Sequence, residues 1–337
     1  MSKNHALLEI KDLHTGFDIG GEFHHAVKGV SFDVNPKEVV CVVGESGCGK
    51  SVMSLSVMKL LPKHNGKIDK GEILFNGKNL ADLSEKEMNR VRGKDISMIF
   101  QEPMTALNPV LTIGFQLDEV LLNHSKASKE QVRKKSIQLL KDVGISRSEQ
   151  VVHEYPHQLS GGMRQRVMIA IAIACEPALL IADEPTTALD VTVQAQILEL
   201  MKKIQDDKGM AVLMITHDLG VVAEMADKVV VMYAGQVVEQ SDVDRIFHDP
   251  KHPYTRALLD SIPKMEERVD ELNTIKGIVP SLKNMPQQGC RFVDRCPSAM
   301  PECKQIDPQL GETNKGHAVR CLLYETSQPG AKTEVRS

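Results

Sequence analysis

Two stretches of this 337-residue chain carry residue types and spacings that could handle a phosphate ester. Gly44-Glu45-Ser46-Gly47-Cys48-Gly49-Lys50-Ser51 has the pattern G-x-x-x-x-G-K-[ST]. It follows an apolar, β-rich run, Glu38 to Val43, and opens a helical pattern at Ser51, which is the context such a loop requires. Its glycines let backbone N–H groups converge on phosphate oxygens, and the helix N-terminus adds positive potential. Lys50 supplies a mobile point charge, and Ser51 a hydroxyl for Mg²⁺. The second stretch, Ala178 to Glu184, is an apolar run that ends in two carboxylates. Carboxylates at a buried strand end are costly unless charge chemistry uses them. Asp183 is placed to hold the Mg²⁺ shell, and Glu184, one residue on, to polarise an attacking water. A glycine turn and a solvated strand end would explain each stretch alone; together they point to binding and hydrolysis of a nucleoside triphosphate.

The elements that must position these groups read as α/β. Apolar runs at Glu38–Val43, Ile96–Phe100, Ala178–Ala182 and Ala211–Thr216 are separated by helical patterns. Ser84 with Glu87 and Ser128 with Gln131 form capping boxes, and Gly144 stops the second of these helices. A helical insertion at about 102–166 divides the strands into two groups. After Ser241 the composition shifts toward Pro and Gly, which reads as a loop-rich appendage over 241–325, and 326–337 reads as a disordered end. The formal net charge of −4 argues against a dedicated nucleic-acid binder. The longest apolar stretch, Val167 to Cys175, is far short of the ~20 residues a bilayer needs. The N-terminus lacks an apolar signal core, so no export is expected.

Leu159-Ser160-Gly161-Gly162-Met163-Arg164-Gln165-Arg166 resembles the signature motif of ATP-binding cassette ATPases. The order of motifs also matches that family: the phosphate loop, Gln101 in MIFQEP, the signature, Asp183-Glu184, Thr187-Ala188-Leu189-Asp190, and His217 in MITHDL. The resemblance implies a RecA-like core with an antiparallel β subdomain and a helical subdomain over residues 1–240. It implies that ATP and Mg²⁺ are bound, with Phe17 stacking on adenine and Gln101 joining Mg²⁺ and the attacking water. Ser160, Gly161 and Gly162 would reach the γ-phosphate of ATP on a partner chain, Gln165 would contribute to the nucleotide site, and Asp190 would cross the interface. His217 would contact the γ-phosphate and hold the water geometry. Two chains must then close face to face to complete one site, and hydrolysis removes the ATP that stabilises closure.

His248 to Leu259, with its HPYT core, and Gly277 to Cys303 resemble the C-terminal segments of dipeptide and oligopeptide importer ATPases. That resemblance implies an ATPase subunit that works with a second cassette subunit, a paralogue. Two membrane permeases and an external peptide-binding protein complete the implied set, with this chain peripheral on the cytoplasmic face of the membrane. The permeases would dock beside Gln101 and the helical insertion. A relative that carries nickel complexes instead of peptides is the alternative within the group. The alternatives outside it are a nucleic-acid cassette ATPase, against which the net charge speaks, and a metal-binding regulator with a degenerate cassette, against which intact Lys50, Asp183 and Glu184 speak.

The cysteines add two expectations. Cys48 lies in the phosphate loop at a helix N-terminus beside Lys50, which favours a reactive thiolate. Cys290, Cys296, Cys303 and Cys321 crowd a segment with little apolar content, which a shared metal centre would help to order. Their spacing lacks the close pairs of structural zinc sites and suits an iron–sulfur cluster held by thiolates. The resemblance points to 4Fe–4S, with Zn²⁺ as the alternative. The phosphate site itself is expected to be complete without this tail.

Overall fold

The structure, a computed structural model, describes residues 6–101, 106–187, 189–262 and 275–324; the tail 326–337 and Ala188 lie outside them. The chain opens with β1 (Leu8–Ile19), β2 (Glu22–Val34), β3 (Val39–Val43), α1 (Lys50–Val57), β4 (Gly66–Phe75), β5 (Lys78–Asn79), α2 (Glu85–Val91) and β6 (Ile96–Ile99). Helices α3 (Ile113–His124), α4 (Lys129–Asp142), α5 (Ser148–Val151) and α6 (Gly161–Ile173) fill the interval before β7 (Leu179–Asp183). There follow α7 (Val191–Lys208), β8 (Ala211–Thr216), α8 (Leu219–Met225), β9 (Lys228–Tyr233), β10 (Gln236–Asp242), α9 (Val243–His248), α10 (Pro253–Asp260), β11 (Gly311–Asn314) and β12 (His317–Val319).

Two sheets result. One is antiparallel in the order β2-β1-β4-β5; the other runs β11-β12-β10-β9-β3-β8-β7-β6, with parallel pairing from β9 through β6. The helical insertion divides the strands only along the chain, because β6 and β7 on either side of it pair directly. Val-Val-Cys-Val-Val of β3 is buried at every position, as expected of a parallel strand covered on both faces. Alternate side chains serve different layers. Val40 and Val42 join Leu8, Leu13 and Ile73 beneath the antiparallel sheet. Cys41 and Val43 join Val167, Ile169 and Ile197 beneath the helices. Both capping boxes form, at α2 and α4, and Gly144 follows α4 in the left-handed region at φ 79°. Among the described residues no helix is long and apolar enough to cross a membrane.

The C-terminal region orders itself differently from the expectation that a metal centre must do so. Strand β12 pairs with β10 (Glu239↔Val319, Gln240↔Ala318), so tail strands extend the core sheet. Phe292 packs against Tyr233 and Tyr254, with ring centroids 5.1 and 5.3 Å away. The guanidinium of Arg291 donates to the Ala234 carbonyl, and Arg320 Nε to that of Val237 at 2.9 Å. The fully buried carboxylate of Glu239 accepts the backbone N–H groups of Lys251 (2.7 Å) and His252 (2.9 Å) and lies 2.7 Å from His317 Nε2. Burial of that charge is offset by these partners. His252 is itself pushed down to about 3 by burial, so its neutral Nδ1 accepts from the Tyr254 N–H at 3.0 Å and caps α10. The cassette surface supplies the constraint that the tail lacks in itself.

Phe292→Ala empties the centre of the ring cluster. A loss of about 3–5 kcal/mol is expected for so large a buried aromatic. Hydrogen exchange should speed up in β11 and β12 while β3 and β8 stay protected. Native protection of β12 in that variant would mean that other contacts dock the tail.

Candidate nucleotide site

The phosphate loop leaves the end of β3 and turns into α1. Gly49 caps the helix at φ 99°, and a Cβ there would stand 2.6 Å from the Ala26 carbonyl oxygen, so only glycine fits. The Gly235 N–H donates to the Cys48 carbonyl at 2.8 Å, tying the loop to the β9–β10 turn. Lys50, largely buried, donates from Nζ to the carbonyls of Gly44 (2.6 Å) and Glu45 (3.0 Å). Ser51 Oγ donates to Asp183 Oδ1 across 3.3 Å. Burial raises the pKa of Asp183, and the neighbouring Glu184 adds to this, against the pull of Ser51 and Lys50. A cation at this point would be favoured by, and would favour, its ionised form.

Glu184 adopts φ 48°, a left-handed conformation rare outside glycine. Such strain costs of order 1–3 kcal/mol and clusters at functional sites. Its carboxylate accepts from Gln101 Nε2 (2.9 Å) and Thr187 Oγ1 (3.0 Å), and His217 Nδ1 lies 3.3 Å away. Burial pushes the Glu184 carboxyl up, but Thr187, His217 and Lys50 together hold it below its ordinary value. An ionised acceptor oriented from three sides beside a phosphate loop can take a proton from water.

A cleft of about 430 Å³ opens over the loop and is lined also by Phe17, Gln101 and Glu184. Of the residues expected from the sequence, the structure brings Phe17, Ser46, Gly47, Cys48, Gly49, Lys50, Ser51, Gln101 and Glu184 together around one cleft. Part of its lining was not expected: Val279, Pro280, Ser281 and Leu282 of the C-terminal region contribute to it. The cleft is therefore not complete without the tail. Tyr254 of the HPYT stretch reaches the same loop, its hydroxyl accepting the Glu45 N–H at 2.9 Å. Apolar residues and a lone tyrosine carry no chemical signature, so only the tertiary contacts could find them.

Other expected residues lie elsewhere. Ser160 caps α6, accepting the Met163 N–H at 3.3 Å, and Asp190 caps α7, accepting the Val193 N–H at 2.9 Å. Both are exposed, as is Gly161, with Gly162 half-buried beside Val193, and none of the four lines the cleft. Gln165 is almost fully buried and donates to the Pro185 carbonyl, so it braces the signature helix against the acidic strand end and does not face the nucleotide cleft. Glu45 turns its carboxylate to Arg295, at 2.7 and 2.9 Å, not into the cleft. Cys48 is fully buried, and burial raises its thiol pKa despite the opposing pull of Lys50, whose Nζ lies 3.7 Å from Sγ. The reactive thiolate expected there is overturned, because helix end and lysine are local effects and desolvation exceeds them.

The donor set at Ser51 and Asp183 consists of hard oxygens, with Gln101 nearby, and suits Mg²⁺ completed by phosphate oxygens. The tail thiols are less settled as ligands. Burial pushes Cys290 up to about 11, with Cys321, Cys303 and Cys296 close enough to add to it. Yet among the described residues no group of three or more His, Cys, Asp or Glu side chains is arranged to hold a metal ion. Four thiols match an iron–sulfur centre in kind, but their arrangement here is not a ligand shell.

Residues 27–187 match the ABC transporter family, and 238–303 match the oligopeptide/dipeptide transporter C-terminal region. The oligopeptide transport ATP-binding protein AppD of Bacillus subtilis (strain 168) is 54% identical over 95% of this chain and 97% of its own. The dipeptide transport ATP-binding protein DppD of the same organism is 52% identical over 95% of each chain. Among solved structures, the dimeric cassette MJ0796 bound to ADP and Pi superposes with TM-score 0.63 at 30% identity, covering 70% of this chain and 98% of that one. Fold and site define a P-loop nucleoside triphosphatase of cassette type. Given relatives this similar over nearly their whole length, the chain belongs to the ABC transporter family, among the ATP-binding subunits of its oligopeptide/dipeptide branch.

The buried Cys48 should resist alkylation in the native chain at neutral pH, reacting orders of magnitude more slowly than a free exposed thiol. A mass-spectrometric time course with iodoacetamide checks this; labelling of Cys48 as fast as in the unfolded chain would contradict it.

Proposed function

We propose that this chain hydrolyses ATP to drive a bacterial importer of dipeptides or oligopeptides. The carrying observation is the convergence of Gln101, Thr187 and His217 on Glu184, beside Lys50 and Ser51, in a chain so similar to named peptide-transport ATPases. Lys50 would neutralise the β- and γ-phosphates, Phe17 would stack on the adenine, and Mg²⁺ held by Ser51, Gln101 and Asp183 would offset charge on the phosphates. Glu184 takes the proton of the attacking water while Gln101 and His217 hold its carboxylate in place. The exposed N-termini of α6 and α7, with Ser160, Gly161, Gly162 and Asp190, serve the site of a partner cassette, so ATP closes two chains face to face. The exposed apolar side chains of Phe100, Val110 and Phe115, next to Gln101 and on the helical insertion, support docking to permease subunits there. The chain then sits peripherally on the cytoplasmic face, with a paralogous cassette, two permeases and an external peptide-binding protein.

Glu184→Gln keeps the shape of the side chain and loses its basicity. Hydrolysis by the assembled complex should fall on the order of a hundredfold or more, with ATP still bound and the closed dimer accumulating. Near-native turnover would remove Glu184 from the catalytic role. Uptake of radiolabelled dipeptides and longer peptides, against nickel chelates, by vesicles bearing the complex tests the cargo.

The finer reading of the tail is that Cys290, Cys296, Cys303 and Cys321 share a metal centre, 4Fe–4S or else Zn²⁺, that is structural and apart from hydrolysis. It rests on four thiols in one short segment, which match such a centre in kind, although the described side chains are not arranged as its shell. Anaerobic purification with iron, sulfide and zinc analysis is expected to find iron and sulfide together; zinc alone would reject the cluster, and no metal would reject both.

A further inference from the structure

Among the contacts of the C-terminal region with the nucleotide cleft, one side chain meets both the phosphate loop and the segment that leads to Val279–Leu282. Arg295 is fully engaged. Its guanidinium grips Glu45 of the phosphate loop with two parallel bonds, Nη1 to Oε2 at 2.7 Å and Nη2 to Oε1 at 2.9 Å. The same group holds the chain that leads to the Val279–Leu282 segment: Nε donates to the Lys276 carbonyl at 2.8 Å, and Nη2 to those of Ile275 and Gly277 at 3.3 Å. The arginine side chain is 6% exposed and that of Glu45 28%, so the guanidinium is sheltered while the carboxylate keeps partial access to water, and the two parallel bonds fix their relative geometry.

Glu45 is held at all its polar atoms. Its N–H is taken by Tyr254, its carboxylate by Arg295, and its carbonyl receives both Lys50 Nζ (3.0 Å) and the Cys48 N–H (3.3 Å). This residue lies two positions past the end of β3, at the start of the phosphate loop. Its orientation sets that of the loop.

We propose that Arg295 is a positioning residue for nucleotide binding: through Glu45 and the Val279–Leu282 segment it fixes the shape of the phosphate loop and of the C-terminal part of the cleft lining, so that the C-terminal region tunes affinity for ATP. A loop already held in shape does not have to be ordered when the nucleotide arrives, and affinity gains by that amount. The region is therefore coupled to the cassette's ligand, beyond being an appendage docked on its surface. Arg295 also precedes Cys296 directly, so any change at that thiol acts one peptide bond from the grip on Glu45.

The inference rests on the nucleotide-site reading, and the test separates the two. MgATP affinity is measured on the full-length chain for Lys50→Ala, Glu45→Gln, Arg295→Gln and the Glu45→Gln/Arg295→Gln pair. Glu45→Gln leaves every tail contact of Arg295 to a carbonyl in place, so it reports on the pair even if Arg295→Gln loosens the tail. Each of these two single variants should weaken MgATP binding about tenfold, and the double variant no more than the weaker single, because residues in one network are not additive. In the assembled complex the loss should fall on KM for ATP and not on kcat, and Arg295→Lys should rescue only part of it. Native affinity in Glu45→Gln, or a double variant that loses the product of the two singles, overturns the inference while leaving the site intact. Native affinity in Lys50→Ala would instead overturn the site itself.

Discussion

The chemistry of this chain depends on the in-register parallel pairing of β3, β8 and β7. Val43 pairs with Thr216, and Asp183 with Ile215. One residue past those partners stand Gly44, His217 and Glu184. The loop, the acidic pair and the histidine thus emerge side by side at the carboxyl edge of the sheet, where open α/β sheets bind their ligands. A slip of one residue in β7 would turn Asp183 and its neighbours to the opposite face. Such a slip would bury alternate carboxylates among Val167 and Ile169, so the hydrophobic layers on the two faces enforce the register that the site needs.

Local signals made much of this legible. The phosphate loop, the acidic strand end and the caps at Ser84 and Ser128 act over a few residues, and the structure has them where their spacing put them. The β3, β7 and β8 runs were readable because strands covered on both faces are apolar throughout. What escaped was set by distance along the chain. Arg295 and Glu45 are 250 positions apart, Tyr254 and Glu45 209, and nothing in either segment announces the other. Cys48 misled for the same reason: its charged neighbours are local, whereas the packing that buries it is not. Gln165 was read from its place beside a signature; its burial and its bond to the Pro185 carbonyl come from tertiary packing that no local pattern shows.

The surfaces divide the labour. Lys50 and Ser51 line the cleft, while Ser160, Gly161 and Asp190 lie exposed at helix starts. Gln101 and Gln165 join these surfaces: one bonds Glu184, the other bonds the Pro185 carbonyl next in line. Both bonds reach the strand end that carries the carboxylates, and Gln165 does so from within the helical insertion.

Glu239 has a consequence for how the chain comes to exist. It sits on β10, among the last residues of the sheet to be synthesised before the tail, yet its partners are Lys251, His252 and His317. On an emerging chain, β10 is made well before His317, and until that residue arrives the buried carboxylate has only the nearby Lys251 and His252 N–H groups to offset its charge. The partner set of this core strand is thus completed from near the other end of the tail. Stability of the cassette core and of the C-terminal region is thereby linked, and a chain interrupted between Asp242 and His317 leaves Glu239 short of a partner in the core.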